Sequence, residues 1–485
     1  MYLGIDIGTS SVKAVVVDDA QHILATASAP LAVSRPKELW SEQNPEDWWS
    51  AVEHAIAELR QKAGKAWQAV KGIGLSGQMH GVVLLDGAGR PIRPAILHND
   101  GRSHAEAREL NRKLPGIGTI AGVPAMPGFA APKLLWLARH EPDVIGRAQH
   151  LLLPKDYVRF RMTHGFATDM CDASGALLLD VAKRQWSHEV AAAAGIPLEM
   201  LPTPLEGSAV SGLLQGAVAK EWGLPPGIIV ATGAGDAAAG AVASGAVNEG
   251  DAFISLGTAT QYFVARESYR PAPEHLIHTF CHALPGRWFQ MAALLNGAGA
   301  LAWAAGLMGR SDIGQLLEDT ERAFAGPSPV LFLPYLSGER TPHNNAQAKG
   351  VLFGLTPATT PEQVAQAVLE GVALSLADAQ GYLAATGLLP PRIAVNGGGS
   401  KSRFWMRILA SALDKTVLLQ EGSEAGPAFG AARLARLAAT GEAPEMVCSK
   451  PAIAAEVAPD PGLVFAYATR LEKFRCLYKA IETFF

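Results

Sequence analysis

Two matching segments and one aspartate-ended turn hold the residue types best suited to chemistry. Ile5-Asp6-Ile7-Gly8-Thr9-Ser10 sets a carboxylate just before a glycine-threonine turn. About half the chain further on, Ile254-Ser255-Leu256-Gly257-Thr258-Ala259 repeats the pattern with serine in place of the aspartate. Glycine-threonine hairpin tips offer backbone N–H and hydroxyl donors, so two of them meeting across a cleft suit a polyphosphate. Asp6 is then the carboxylate to hold magnesium, which takes one or two carboxylates together with phosphate oxygens and water; the plainer reading is an aspartate that bonds its own turn. Gly233-Ala234-Gly235-Asp236 follows an apolar run at 228–231 and precedes a small-residue helix at 237–244. That arrangement puts Asp236 at the mouth of a sheet, where it could accept a proton from a substrate hydroxyl, unless it only caps the helix.

Three further segments offer binding groups. Asn396-Gly397-Gly398-Gly399-Ser400 lies between a short strand at 393–395 and a helix at 402–413, and such glycines let a backbone approach a ribose or phosphate closely, or form a plain flexible turn. Glu424-Ala425-Gly426-Pro427-Ala428 opens another small-residue helix at 429–438, consistent with an adenine slot between two helices. Gln78-Met79-His80-Gly81 and Asn99-Asp100-Gly101-Arg102 sit at strand-to-loop exits of the first half. A polyol needs convergent donors and acceptors, which a His, an Asp and an Arg supply; the alternatives are a structural histidine and a surface ion pair. There is no Gly-x-x-x-x-Gly-Lys-Ser/Thr phosphate loop, no His-Glu-x-x-His and no Gly-x-Ser-x-Gly elbow.

These residues need a scaffold, and the hydrophobic pattern supplies an α/β one. Strands are expected at 2–7, 12–17 and 22–27, then a helix at 45–62 entered at Asn44-Pro45, with Asn44 as cap and Pro45 at the first helical position. A strand at 70–75 runs into the loop 76–80, and this alternation is the α/β signature. The repeated Gly-Thr hairpin divides the chain into two halves, 1–247 and 248–485, with the boundary near Val247 in the Gly/Ala-rich stretch 240–250. Composition agrees with a compact chain: 485 residues, 49% hydrophobic and 18% charged, are enough for large cores. A net charge of −4 with no basic stripe disfavours nucleic acid as a partner. No apolar run reaches the ~18–20 residues of a membrane span, and the opening MYLGIDIGTSSVK has no secretory pattern, so the expectation is a cytosolic protein. Four scattered cysteines, Cys171, Cys281, Cys448 and Cys476, read as buried thiols rather than a disulfide or zinc framework.

With these pieces in place, the chain resembles the FGGY family of carbohydrate kinases over essentially its whole length. The second-half signature is met by Gly350-Val351-Leu352-Phe353-Gly354-Leu355, followed after seven residues by Gln363-Val364-Ala365-Gln366-Ala367-Val368-Leu369-Glu370. The first-half signature, Gly128-Phe129-Ala130-Ala131-Pro132-Lys133-Leu134-Leu135-Trp136, departs from the family only at Ala130. Segments such as Leu39-Trp40-Ser41-Glu42-Gln43, Leu153-Pro154-Lys155-Asp156-Tyr157 and Tyr335-Leu336-Ser337-Gly338-Glu339-Arg340-Thr341-Pro342 look like members acting on D-xylulose.

The resemblance implies two actin-like, ribonuclease-H-like lobes with ATP, Mg²⁺ and a sugar in the cleft between them. It implies Asp236 as catalytic base and Asp6 as the carboxylate near magnesium. It places Gly8, Thr9, Ser10, Lys13, Gly257, Thr258, Gly398, Gly399 and Ser402 with ATP, and Met79, His80, Asp100 and Arg102 with the sugar. The activity implied is phosphorylation of D-xylulose to D-xylulose 5-phosphate, the partners are a ketopentose and ATP, and a homodimer is compatible with it. Loose phosphoryl transfer needs mainly in-line positioning, charge neutralisation and a base. Departures from the family pattern fall at Ala237, where an Asn or Gln is usual, at His98, where Trp is usual, and at Ala234 and Thr258-Ala259-Thr260. The first two favour an alternative ketose or polyol such as L-xylulose, ribulose or arabitol. A non-catalytic actin-like binder is the remaining alternative, and a pure binder would have no need of both Asp6 and Asp236.

Overall fold

In the computed structural model, which describes residues 1–421 and 426–485, two mixed sheets carry the chain. In the first, β1 (Tyr2–Ile7), β2 (Ser11–Val17) and β3 (Ile23–Pro30) form an antiparallel meander; β4 (Gly72–Gly77) joins β1 in parallel, and β5 (Val210–Leu213), β6 (Ile229–Ala231) and β7 (Ala234–Gly235) follow, in the order β5-β6-β4-β1-β2-β3 with β7 also on β4. The second sheet contains β8 (Ala252–Leu256), β9 (Thr260–Arg266), β10 (His278–Cys281), β11 (Trp288–Leu294), β12 (Arg392–Asn396), β13 (Thr416–Gln420) and β14 (Ile453–Val457), in the order β10-β11-β9-β8-β12-β13-β14.

The duplication expected from the Gly-Thr repeat extends to the whole topology. Outward from β3, the first sheet pairs antiparallel, antiparallel, parallel, parallel and antiparallel. From β11 through β14 the second sheet runs through the same series, with β10 added at the edge. This doubled sheet is the actin-like ATPase fold.

Helix α1 (Pro45–Ala63) begins where Asn44 accepts the Glu46 amide, and Trp48, Val52, Ala55 and Leu59 bury its inner face. The strand expected at 70–75 lies two residues later, at Gly72–Gly77. Glycine has a use there: helix α3 (Gly426–Thr440), which belongs to the second half, lies directly on the first sheet at Gly4, Gly72 and Gly74, and a Cβ at Gly72 would come within 3.0 Å of the Ala435 carbonyl. Helix α2 (Asp236–Ser244) of the first half crosses α3 where Gly430 meets the Ala239 carbonyl with no room for a side chain. Arg433 then fixes the crossing by donating from Nη1 to the carbonyls of Val242 (2.8 Å) and Ala243 (3.1 Å), at the negative end of α2. The two halves thus exchange helices across their common face.

Three cysteines are buried, but Cys476 is exposed, contrary to expectation, because it falls on the outer face of the terminal helix Pro461–Ile481. No helix among the described residues is long and apolar enough to cross a membrane.

Candidate active site

Strand register sets the two aspartates. Asp6 on β1 lies opposite Ser76 on β4, which in turn lies opposite Ala234 on β7, so a row of three strands ends on one edge. Gly233, at φ +87°, turns the chain over Leu75, and Asp236 emerges two residues past Ala234 as the first residue of α2. Gly235 rather than Asp236 occupies the cap position, so Asp236 is not the N-cap of α2. Burial and the charge of Asp6 push the Asp236 carboxyl up to about 7, with the Ala237 amide offsetting part of the rise. Burial pushes Asp6 to about 6, against the opposing pull of Ser76 and Lys13, and its Oδ1 is buried with no hydrogen-bond partner. Two buried carboxyls raised toward neutrality at one sheet edge mark a candidate functional site.

Both Gly-Thr segments form hairpin tips. Gly8 closes the first through its amide to the Ser11 carbonyl (3.0 Å), and Gly257 closes the second through its amide to the Ala259 carbonyl (3.1 Å). The Thr9 hydroxyl donates to Gln78 Oε1 (3.1 Å), Gln78 donates to Gln43 Oε1 (2.9 Å), and Gln43 donates to the Thr9 carbonyl (2.8 Å) and accepts from the Trp48 indole (2.9 Å). This amide relay ties the tip to α1. The sequence assigns Gln43 no role of its own, since a lone glutamine carries no spacing signal. Ser10 is exposed at the tip, and Lys13 lies opposite Asp6 on β2.

A cleft of about 990 Å³ between the halves is lined by Asp236, Ala237, Ser255, Gln261, Gly397 and Phe429 among others. Asn396 and Gly397, at φ +93°, are the glycine-turn residues that reach it. Gly398 and Gly399 form a 3₁₀ turn behind them, and Gly399 packs on Leu256 and Trp405. The Ser402 hydroxyl caps the helix Arg403–Leu413 by accepting the Trp405 amide (3.2 Å). Glu424 and Ala425 lie outside the described residues; Gly426, Pro427 and Phe429 line the cleft.

On the other side of Asp236, Met79 packs against Gly235, where a Cβ would lie 2.7 Å from its sulfur. His80 takes φ +67°, its amide donating to Asp172 Oδ1 (3.3 Å) and its ring Nδ1 paired with the Gly175 carbonyl at 2.8 Å. Lys133 Nζ donates to the carbonyls of His80 (2.9 Å) and Gly128 (2.8 Å), and its burial pushes it down to about 7. Asp172 shares Lys155 with Asp169 and Asp156 in a fully buried ion network beneath this loop. Asp100 and Arg102 form a buried bidentate pair at 2.8 and 2.7 Å, rather than a surface one. Asp100 also accepts the Ser41 amide (2.6 Å), while Arg102 bonds Glu42 (2.8 Å) and lies 3.6 Å over the Trp40 ring. With both Asp100 oxygens occupied, the pair braces the loop, and only Arg102 Nη1 is left without a partner.

Paired sheets with a nucleotide-sized cleft, a near-neutral aspartate at its edge and a polyol-suited loop beyond define a two-lobed carbohydrate kinase. The N-terminal domain of the FGGY family of carbohydrate kinases matches residues 1–243 and its C-terminal domain residues 252–439, and the chain belongs to this family. Among its relatives, the xylulose kinase of Escherichia coli K12 is 46% identical over 483 residues, 99% of each chain. That of Klebsiella pneumoniae is 45% identical over 484 residues, again 99% of each. The crystal structure of a xyloylose kinase from Brucella ovis superposes with a TM-score of 0.96 at 43% identity, covering 100% of both chains. The chain is an ATP-dependent sugar kinase.

Proposed function

We propose that this kinase transfers the γ-phosphoryl group of ATP to the C5 hydroxyl of D-xylulose, giving D-xylulose 5-phosphate, with Asp236 as the base. The observation carrying the reading is the Asp236 carboxyl, held near pH 7 by burial and Asp6 on the edge shared by the cleft and the Met79–His80 loop. Such a carboxylate is basic enough to take a hydroxyl proton and still largely ionised above neutrality. Relatives named xylulose kinase at 46% and 45% identity support the choice of sugar.

The two halves, taken as lobes 1–247 and 248–485, divide the work. Gly8-Thr9 with Ser10 and Lys13, and Gly257-Thr258 from the other lobe, are the phosphate hairpins; Asn396-Gly397, with Gly398, Gly399 and Ser402 behind, shape the adenosine side. Met79 and His80 contact the sugar, and Asp100 and Arg102 hold its wall. The orphaned Oδ1 of Asp6 fits a divalent cation, and Asp6 would hold magnesium directly or through water. Bound there, magnesium supplies charge neutralisation for the phosphate oxygens. Water would also fit beside Asp236, so closure of the lobes around the sugar suppresses idle ATP hydrolysis.

A different ketose is favoured by one specific observation: Ala237, which lines the cleft next to the base, has no side-chain donor. Turnover of D-xylulose against L-xylulose, ribulose and arabitol separates the two readings.

A further inference from the structure

The second half of the chain sends two polar groups into the sugar-side cluster, and neither has a partner. His278, on β10, is completely buried, yet both ring nitrogens lack a hydrogen-bond partner. Its ring stands 5.5 Å from Phe129 and 5.4 Å from Phe280, and Phe129 in turn stands 4.7 Å from His80. Arg340 comes from the loop after Tyr335. Its backbone amide bonds Glu339 (2.8 Å), but among the described residues its guanidinium has no hydrogen-bond or ion-pair partner. Glu339 does not neutralise it closely, because its oxygens are taken by the Leu295 amide (2.7 Å), the Asn296 side chain (3.3 Å) and the Arg340 amide itself. Nη2 of Arg340 lies 3.5 Å from the place a Cβ would take on Gly128, in the first-half signature. His98, with its own Nδ1 unpartnered, completes the group.

A fully buried imidazole left unpaired is costly, and a half-buried guanidinium without a protein acceptor beside it is free to bond a ligand, so the pair suits a ligand that supplies acceptors and a donor. Met79 packs on Gly235 beside Asp236, His80, Phe129 and His278 follow ring to ring, and Arg340 lies beside Gly128, so a sugar held at Met79–His80 with its transferred hydroxyl at Asp236 would turn its other end toward this group. Burial, with Lys133 and Arg340 nearby, lowers His98 to about 4, and burial with Arg340 nearby lowers His278 to about 3, so both rings are neutral at physiological pH. A neutral imidazole offers one donor and one acceptor, and a guanidinium offers a fork of donors. That set matches a carbonyl with an adjacent hydroxyl.

We propose that Arg340 and His278 are specificity-determining residues that bind the α-hydroxyketone end of the ketose substrate across the lobe interface. The inference rests on the sugar-kinase reading above and adds residues to which the sequence motifs assign no role.

The test compares Arg340→Met, Arg340→Lys and His278→Phe with the unmodified enzyme on D-xylulose and on 1-deoxy-D-xylulose, which lacks the O1 hydroxyl, alongside the ATP KM and thermal melting. The expected result is a loss of about 10- to 100-fold in kcat/KM for D-xylulose, carried mainly by KM. Because the 1-deoxy sugar keeps the C2 carbonyl and lacks only the O1 hydroxyl, the loss on it should be smaller than on D-xylulose by about threefold or more, with the ATP KM within about twofold of normal. Equal losses on both sugars, or unchanged D-xylulose kinetics in folded variants, would overturn the proposal. Arg340→Lys keeps the charge and His278→Phe keeps the ring, so a folding failure of Arg340→Met leaves the comparison intact. Turnover by the unmodified enzyme tests the substrate reading separately: were another ketose preferred, the same variants on that ketose and its 1-deoxy analogue would decide this inference.

Discussion

The charge of Asp6 raises the proton affinity of Asp236, although the two residues are 230 positions apart and sit on different elements. Their proximity follows from the register Asp6–Ser76–Ala234 across three strands and the Gly233 turn. It gives the sheet edge a carboxyl raised to about 7 and a second carboxylate whose Oδ1 has no hydrogen-bond partner beside it.

Replacing Asp236 by asparagine should lower kcat by about 10²–10⁴ while leaving ATP affinity near normal. Equilibrium binding of ATP and steady-state turnover together check this; near-normal turnover would remove Asp236 from the base role.

The same replacement should stabilise the fold at alkaline pH. The carboxyl sits at about 7 in the folded protein, above the ordinary aspartate value of 3.8, so ionised Asp236 costs stability. The penalty grows as pH rises from about 4 to 7 and is constant beyond. The uncharged amide of the variant escapes it, so melting of Asp236→Asn should exceed that of the parent clearly at pH 8 and hardly at pH 4.

Asp6→Asn removes the like charge next to the base. The acidic limb of kcat/KM for the sugar should therefore move to lower pH, while the magnesium dependence weakens. A pH–rate series at several magnesium concentrations reads both effects, and an unaltered magnesium profile would take Asp6 out of the metal site.

Gly430→Ala inserts a methyl where α3 crosses the Ala239 carbonyl of α2. Overpacking of this kind costs about 1–3 kcal/mol, and because α2 begins with Asp236, kcat should fall along with the melting temperature. Unchanged activity in a destabilised protein would mean the crossing does not position the base.

Much of this is legible in the sequence. The Asn44-Pro45 helix start, the two Gly-Thr hairpins and the strand-turn-Asp236 unit all carry local signals: a cap, a fixed-φ residue, tight turns. The long-range pairings carry none. That Asp100 is saturated by Arg102 and Ser41, that Ser402 is spent on a helix cap, and that Thr9 is held by Gln78 and Gln43 follow from chain packing over tens of residues. Arg433 locking α2, and Arg340 and His278 reaching Gly128 and Phe129 of the first half, depend on how the halves interleave. Spacing along one chain does not encode that.

The decisive measurement is ADP release in a coupled assay with Mg-ATP, comparing D-xylulose with L-xylulose, D-ribulose, L-ribulose, D-fructose, xylitol, D-arabitol, glycerol and a no-sugar control. D-Xylulose is expected to win, with kcat/KM of about 10⁴ M⁻¹s⁻¹ or more. Preference for another sugar, or ATP binding with no sugar-dependent ADP release, would contradict it.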